Sequence, residues 1–131
     1  MIGTRIQIQE YGDERGMLKA INHIPFNAKR MFFISEVPEG AVRGNHFSKT
    51  SSFLYVVIKG GCRVELNNGF ETENYDLNAG DGVVFSKNTW IKIYNFKKGT
   101  ILCVLADTEY RMSDYVSDYS ELQRIVGEEN V

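Results

Sequence analysis

Arg43 and His46 stand three residues apart in Val42-Arg43-Gly44-Asn45-His46-Phe47-Ser48-Lys49 and are the side chains best fitted to do chemistry together. An arginine fork holds a phosphate or carboxylate through paired N–H donors. An imidazole moves a proton near neutral pH. Regular strand geometry would separate them: His46 and Ser48 would face one side, Arg43 and Phe47 the other. A bulge at Gly44 would re-aim Arg43 toward the cavity that His46 faces. The residues alone leave two readings open. One is an anion site with an acid/base beside it; the other is a surface arginine and a histidine whose bonds are met within a sheet.

The elements that must position this pair read as short strands separated by turns, the pattern of a sandwich or barrel. Thr4 to Gln9 alternates, with Ile6 and Ile8 on one face. Gly12-Asp13-Glu14-Arg15-Gly16 then turns the chain into a short strand at Met17 to Ile21. Asn27 to Ser35 carries Met31, Phe32, Phe33 and Ile34, and the turn Pro38-Glu39-Gly40 leads into Ala41 to Ser48, which holds the pair. Phe53 to Ile58 is a continuous apolar run, as in a strand buried on both faces. Cys62 to Leu66 and Phe70 to Tyr75 flank Asn67-Asn68-Gly69, a hairpin signal because Asn and Gly tolerate positive φ. After a turn at Asn78 to Gly82, Val83 to Ser86, Trp90 to Asn95 and Thr100 to Ala106 complete the set. The tail changes period. Glu121 to Val126 has helical spacing, Tyr115, Tyr119 and Leu122 would share a face, and Ser117 or Asp118 would cap it. These signs predict a single domain over residues 1–131. It is an antiparallel all-β fold of roughly ten strands with a short C-terminal helix, and such folds place small-molecule sites in the barrel mouth.

Composition excludes several function classes. The net charge of −2 gives no basic footprint for nucleic acid. No apolar run reaches the length of a membrane span, and Met1-Ile2-Gly3-Thr4-Arg5 has no apolar signal core, so a cytoplasmic protein is expected. Cys62 and Cys103 lie in apolar strand-like runs and read as buried reduced thiols. A histidine-based metal site in such a fold needs two or three histidines and a carboxylate. This chain has only His23 and His46, so no metal and no other cofactor is expected; His23, beside Ile24-Pro25, reads as a solvated or capping residue.

Six segments stand in order along the chain: Asp13-Glu14-Arg15-Gly16, Ile24-Pro25-Phe26 with Lys29-Arg30, Arg43-Gly44-Asn45-His46, Gly60-Gly61-Cys62-Arg63-Val64, Trp90, and Ser113-Asp114-Tyr115-Val116-Ser117-Asp118-Tyr119. This ordered set resembles the cupin-like sugar-nucleotide 3,4-ketoisomerases (WxcM-like) that act on dTDP-4-keto-6-deoxyglucose. The resemblance implies a cupin-like jelly-roll barrel, a homodimer and a dTDP-sugar laid in the barrel. It also implies a proton shuttle between C3 and C4 through an enediol, in deoxysugar synthesis for O-antigen or S-layer polysaccharide.

The match departs from the family at the chemistry. His46 fits the first family histidine, but Ser48 stands where the second is expected. Phe32-Phe33 replaces a tyrosine pair, Phe53 a polar residue, and Ile91 a histidine. Loss of one acid or base typically costs about 10²–10⁴ in rate. The resemblance therefore implies His46 as the one acid/base of a 3,4-keto shift or an epimerisation, with Arg43 on the diphosphate. Ser48, Phe33, Phe53, Arg63 and Trp90 are the expected substrate-binding residues. The alternative is a dTDP-sugar-binding protein of the same fold with impaired catalysis.

Overall fold

A computed structural model describes residues 1–129; the last two residues of the expected domain lie outside the described residues. In chain order the strands are β1 (Thr4–Gln7), β2 (Gln9–Asp13), β3 (Gly16–Ala20), β4 (Arg30–Ile34), β5 (Arg43–Ser48), β6 (Phe53–Lys59), β7 (Gly61–Asn67), β8 (Thr72–Asn78), β9 (Asp81–Phe85), β10 (Trp90–Tyr94), β11 (Ile101–Ala106) and β12 (Tyr115–Val116). The helix α1 (Tyr119–Glu129) follows. Two five-stranded antiparallel sheets form, ordered β1-β9-β6-β11-β4 and β12-β5-β10-β7-β8, and β2 and β3 make a separate hairpin. The chain is thus mostly β with one short C-terminal helix. The two sheets face each other without closing into a continuous barrel.

The core lies between the sheets because alternate residues of each strand turn inward. Phe53, Tyr55 and Val57 from β6, Val64 and Leu66 from β7, Ile91 and Ile93 from β10, and Leu102 and Val104 from β11 form one buried cluster. The continuous apolar run of β6 is buried on both faces, as its composition predicted. Leu54 and Val56 join Leu105 in a second cluster on the outer side, covered by Ile6, Ile8, Ile21 and Phe26.

The sequence reading differs from the structure at several boundaries: the turn expected over Gly12 to Gly16 narrows to Glu14-Arg15, and the return strand expected over Phe70 to Tyr75 runs from Thr72 to Asn78. The expected strand Thr4 to Gln9 breaks at Ile8, whose N–H bonds the Gly80 carbonyl at 2.9 Å; this split and the added β12 give twelve strands rather than ten. The turn expected over Asn78 to Gly82 narrows to Ala79-Gly80, and its flanking residues enter β8 and β9. Tyr115 sits on β12, paired with Ser48 of β5, and not on the helix. Helix α1 is capped as expected by Asp118, whose carboxylate accepts the Ser120 N–H at 3.0 Å. Its buried residues Leu122 and Val126 close a third cluster on Phe47, Trp90 and Tyr119.

Candidate active site

Geometry at Gly44 and Asn45 brings Arg43 and His46 to one cavity. Between β5 and β10 the pairing runs Ile91 with His46, then Lys92 with Gly44, leaving Asn45 as an extra residue. Gly44 has φ of 76° and Asn45 φ of 63°, both in the left-handed region that Gly and Asn tolerate best. One inserted residue inverts the alternation beyond it. Residues three apart therefore share a face, as the glycine predicted. A Cβ on Gly44 would lie 2.9 Å from the Ile91 carbonyl oxygen, so the close strand approach also demands glycine. Asn45 is fixed by its side chain, which accepts the Trp90 indole N–H at 3.1 Å.

The cavity lies between edge strand β4 of the first sheet and β5 of the second. It has a volume of about 300 Å³, the lower end of ligand pockets at roughly 300–1,000 Å³. Arg30, Phe32 and Ile34 of β4, Arg43 and His46 of β5, and Phe53 and Tyr55 of β6 line it, closed on one side by Tyr110 and Tyr115. Among the described residues, no acidic side chain lines it.

The two guanidinium groups have different settings. Arg30 stacks over the Phe32 ring at 4.3 Å and the Tyr110 ring at 4.7 Å, and its Nη1 donates to the Tyr115 hydroxyl at 2.6 Å. Neither Arg30 nor Arg43 has a carboxylate partner among the described residues. Two uncompensated cations on one small cavity, in a chain whose net charge is −2, form a local site for an anion.

His46 is half-buried at the cavity wall. Burial first, and the Arg43 charge second, hold its imidazole below the ordinary value of 6.5, so the ring is neutral at pH 7. Its Nδ1 is buried with no hydrogen-bond partner among the described residues, and no carboxylate orients it. Tyr115 packs edge-on against it, with ring centres 5.1 Å apart and planes at 83°. Tyr55 lies fully buried at the back, and burial pushes its phenol well above the usual tyrosine range. Among the described residues, no three His, Cys, Asp or Glu side chains group closely enough to hold a metal ion, and no helix is long and apolar enough to cross a membrane. Cys62 and Cys103 are free and buried, and burial pushes the Cys62 thiol up to about 12.

Of the expected site residues, the structure brings together His46, Arg43 and Phe53 and sets four others elsewhere. Phe33 alternates outward on β4 and is 58% exposed; its neighbour Phe32 faces the cavity instead. Ser48 is buried, and its hydroxyl accepts the N–H groups of Thr50 at 3.3 Å and Ser51 at 3.0 Å, so it fastens the β5–β6 turn. Arg63 faces away on β7 and pairs with Asp76 at 3.3 Å. Trp90 packs on Phe47 and Tyr119 under the tail helix. Sequence reasoning missed Arg30, Tyr55, Tyr110 and Tyr115 as lining residues. Arg30 carried a usable signal, since it heads the alternating stripe Arg30, Phe32, Ile34. The tyrosines carried none: Tyr110 and Tyr115 lie near the terminus, where aromatic residues more often pack a tail than line a site, and Tyr55 lies inside the continuous apolar run of β6, where it reads as core.

Residues 3–127 match a family model described as FdtA: WxcM-like, C-terminal. A TDP-4-oxo-6-deoxy-alpha-D-glucose-3,4-oxoisomerase from Aneurinibacillus thermoaerophilus is 28% identical over 130 residues, covering 96% of this chain and 94% of that protein. A 3,4-ketoisomerase from Helicobacter canadensis superposes with a TM-score of 0.88 at 31% identity, covering 95% of this chain and 97% of the other. A mutant of the 3,4-ketoisomerase QdtA from Thermoanaerobacterium thermosaccharolyticum, solved with TDP-4-keto-6-deoxyglucose, gives a TM-score of 0.88 at 25% identity over 96% of this chain and 94% of that one.

Proposed function

Because this chain belongs to the FdtA (WxcM-like, C-terminal) family, we propose that it is an isomerase that moves the keto group of a TDP-4-keto-6-deoxyhexose between C4 and C3. The observation that carries this reading is an imidazole beside two guanidinium groups that have no carboxylate partner among the described residues, all lining one cavity. Arg43 holds the diphosphate, since guanidinium forks match phosphate oxygens. A cavity of about 300 Å³ takes the sugar, and the nucleoside lies outside it. Phe32, Phe53 and Tyr55 give the sugar an apolar floor that excludes water and strengthens the electrostatics inside.

His46 is the carbon acid/base. A neutral imidazole removes the proton at C3, beside the C4 carbonyl, and returns it to C4 of the enediol on the same face. One group therefore serves both carbons. The reading extends to a cupin-like jelly-roll homodimer of the cytoplasm that supplies deoxysugars for cell-surface polysaccharide. Exposed apolar side chains at Met31 and Phe33 on β4, and at Met17 and Leu18 on β3, support a covered surface in such a dimer. Incubation with TDP-4-keto-6-deoxyglucose in deuterated water, followed by NMR, tests the reaction. The expected result is conversion to the 3-keto product, with deuterium at C4 to the extent that the His46 imidazolium exchanges its proton with solvent before returning it. Binding of the nucleotide sugar with neither exchange nor conversion would instead identify a binding protein.

A further inference from the structure

We propose that Tyr115, held by Arg30, is the second proton-transfer group of this site and serves the two oxygens while His46 serves the two carbons. The inference rests on the isomerase reading above and deepens it. A keto shift moves two protons, one from carbon to carbon and one from oxygen to oxygen. The residues expected to supply a second base do not. Ser48 has its hydroxyl oxygen turned to the backbone N–H groups of Thr50 and Ser51, and a serine is a poor base at neutral pH. Tyr55 is buried with its phenol proton held tightly.

Tyr115 is placed differently. It lies opposite Ser48 in the β5–β12 pairing, lines the cavity, and meets His46 edge-on with ring centres 5.1 Å apart. Its oxygen accepts a hydrogen bond from Arg30 Nη1 at 2.6 Å, which leaves the phenol's own hydrogen free to donate. No other partner holds that hydroxyl among the described residues. The guanidinium offsets the negative charge that forms on the oxygen when its proton leaves, as a preorganised donor does at a developing anion. Stacking on Phe32 and Tyr110 fixes the guanidinium in place, so Arg30 is a positioning residue.

The steps balance. His46 takes the proton from C3, the C3–H pair becomes the C3=C4 double bond, and the carbonyl pair takes the Tyr115 proton at O4. O3 then returns a proton to the Tyr115 phenolate and becomes the new carbonyl, while the C3=C4 pair takes the proton from the His46 imidazolium at C4. Both side chains end as they began, and no oxidant or cofactor enters.

The test compares wild type, Tyr115→Phe and Arg30→Lys for conversion, deuterium exchange at C3 and TDP affinity. Tyr115→Phe keeps the ring that packs on His46, so folding and TDP affinity should hold. Conversion should fall by about 10²–10³, within the range for one proton-transfer group. Exchange at C3 should fall too, because the enediol forms as Tyr115 protonates O4, and conversion should fall further because it also needs the O3 proton removed. Arg30→Lys, which cannot reproduce the stacked fork, should lower conversion by a smaller factor. A Tyr115→Phe variant that converts like wild type overturns the relay. So does one in which conversion, exchange and TDP affinity fall together, which would mark a structural role. A wild type that neither binds TDP nor converts the ketosugar overturns the isomerase reading and the relay together.

Discussion

Replacing Arg43 with methionine separates what this residue does for a ligand from what it does for the fold. The side chain is exposed, with no carboxylate partner among the described residues. Removing it breaks no internal pair, so stability should stay within about 0.5 kcal/mol of wild type, as for surface changes away from special features. A bound diphosphate changes the balance. Hydrogen bonds to charged groups contribute about 1.5–3 kcal/mol, which is roughly 10- to 150-fold in Kd. Because Arg43 is exposed and salt screens such pairs over a Debye length of about 8 Å at 0.15 M, the lower part of that range applies at physiological salt. Calorimetric titration with TDP at two ionic strengths should show a weaker variant, and the gap should narrow as salt rises. A second readout is internal. Arg43 is the second cause, after burial, of the lowered His46 value, so removing the cation should move the His46 titration up by NMR while leaving it below 6.5. Unchanged TDP affinity, or an unmoved His46 titration, would refute the argument. A large loss of thermal stability would show that Arg43 holds the fold instead.

Further outcomes follow from the same geometry. In wild type the rate at low substrate should rise as pH increases through an apparent value below 6.5 and then level, because the neutral imidazole is the working form; a limb at or above that value would exclude His46 as the base. Acidification should also cost stability, since the unfolded chain takes a proton near 6.5 that the native His46 accepts only at lower pH; His46→Asn should remove that part of the acid dependence in urea titrations at about pH 5 and 7, which bracket a histidine's ordinary value. Gly44→Ala places a Cβ 2.9 Å from the Ile91 carbonyl at a left-handed φ that costs about 1–2 kcal/mol; turnover should fall more than stability, because flattening the bulge turns Arg43 from the cavity, and wild-type turnover would contradict this. Leu102→Ala, in a fully buried position of the core, should cost about 2–5 kcal/mol in denaturant unfolding.

Much of the scaffold was legible because it depends on local pattern. The both-faces burial of Phe53 to Ile58, the Asn-Gly hairpin and the Asp118 cap follow from side-chain type and period. The site was legible only where one strand carried it. Gly44 announced the bulge that unites Arg43 with His46. Phe33 and Phe32 were not distinguishable as outward and inward, because adjacent identical residues carry no phase. Trp90 and Arg63 lie on strands of the same sheet as His46 but turn their side chains away from the cavity, and face cannot be told from type for residues that suit either side.

The amino-acid order by itself determined the strand-rich class, the reduced buried thiols and the pairing of a cation with an imidazole, because each is set by residues within a few positions of one another. Only the folded chain decided which side chains complete the cavity. Arg30 and Tyr115 are separated by 85 residues, and they meet because β4 ends one sheet where the returning tail pairs as β12 on the other. Contacts at that range are fixed by how two sheets pack, which no local period encodes.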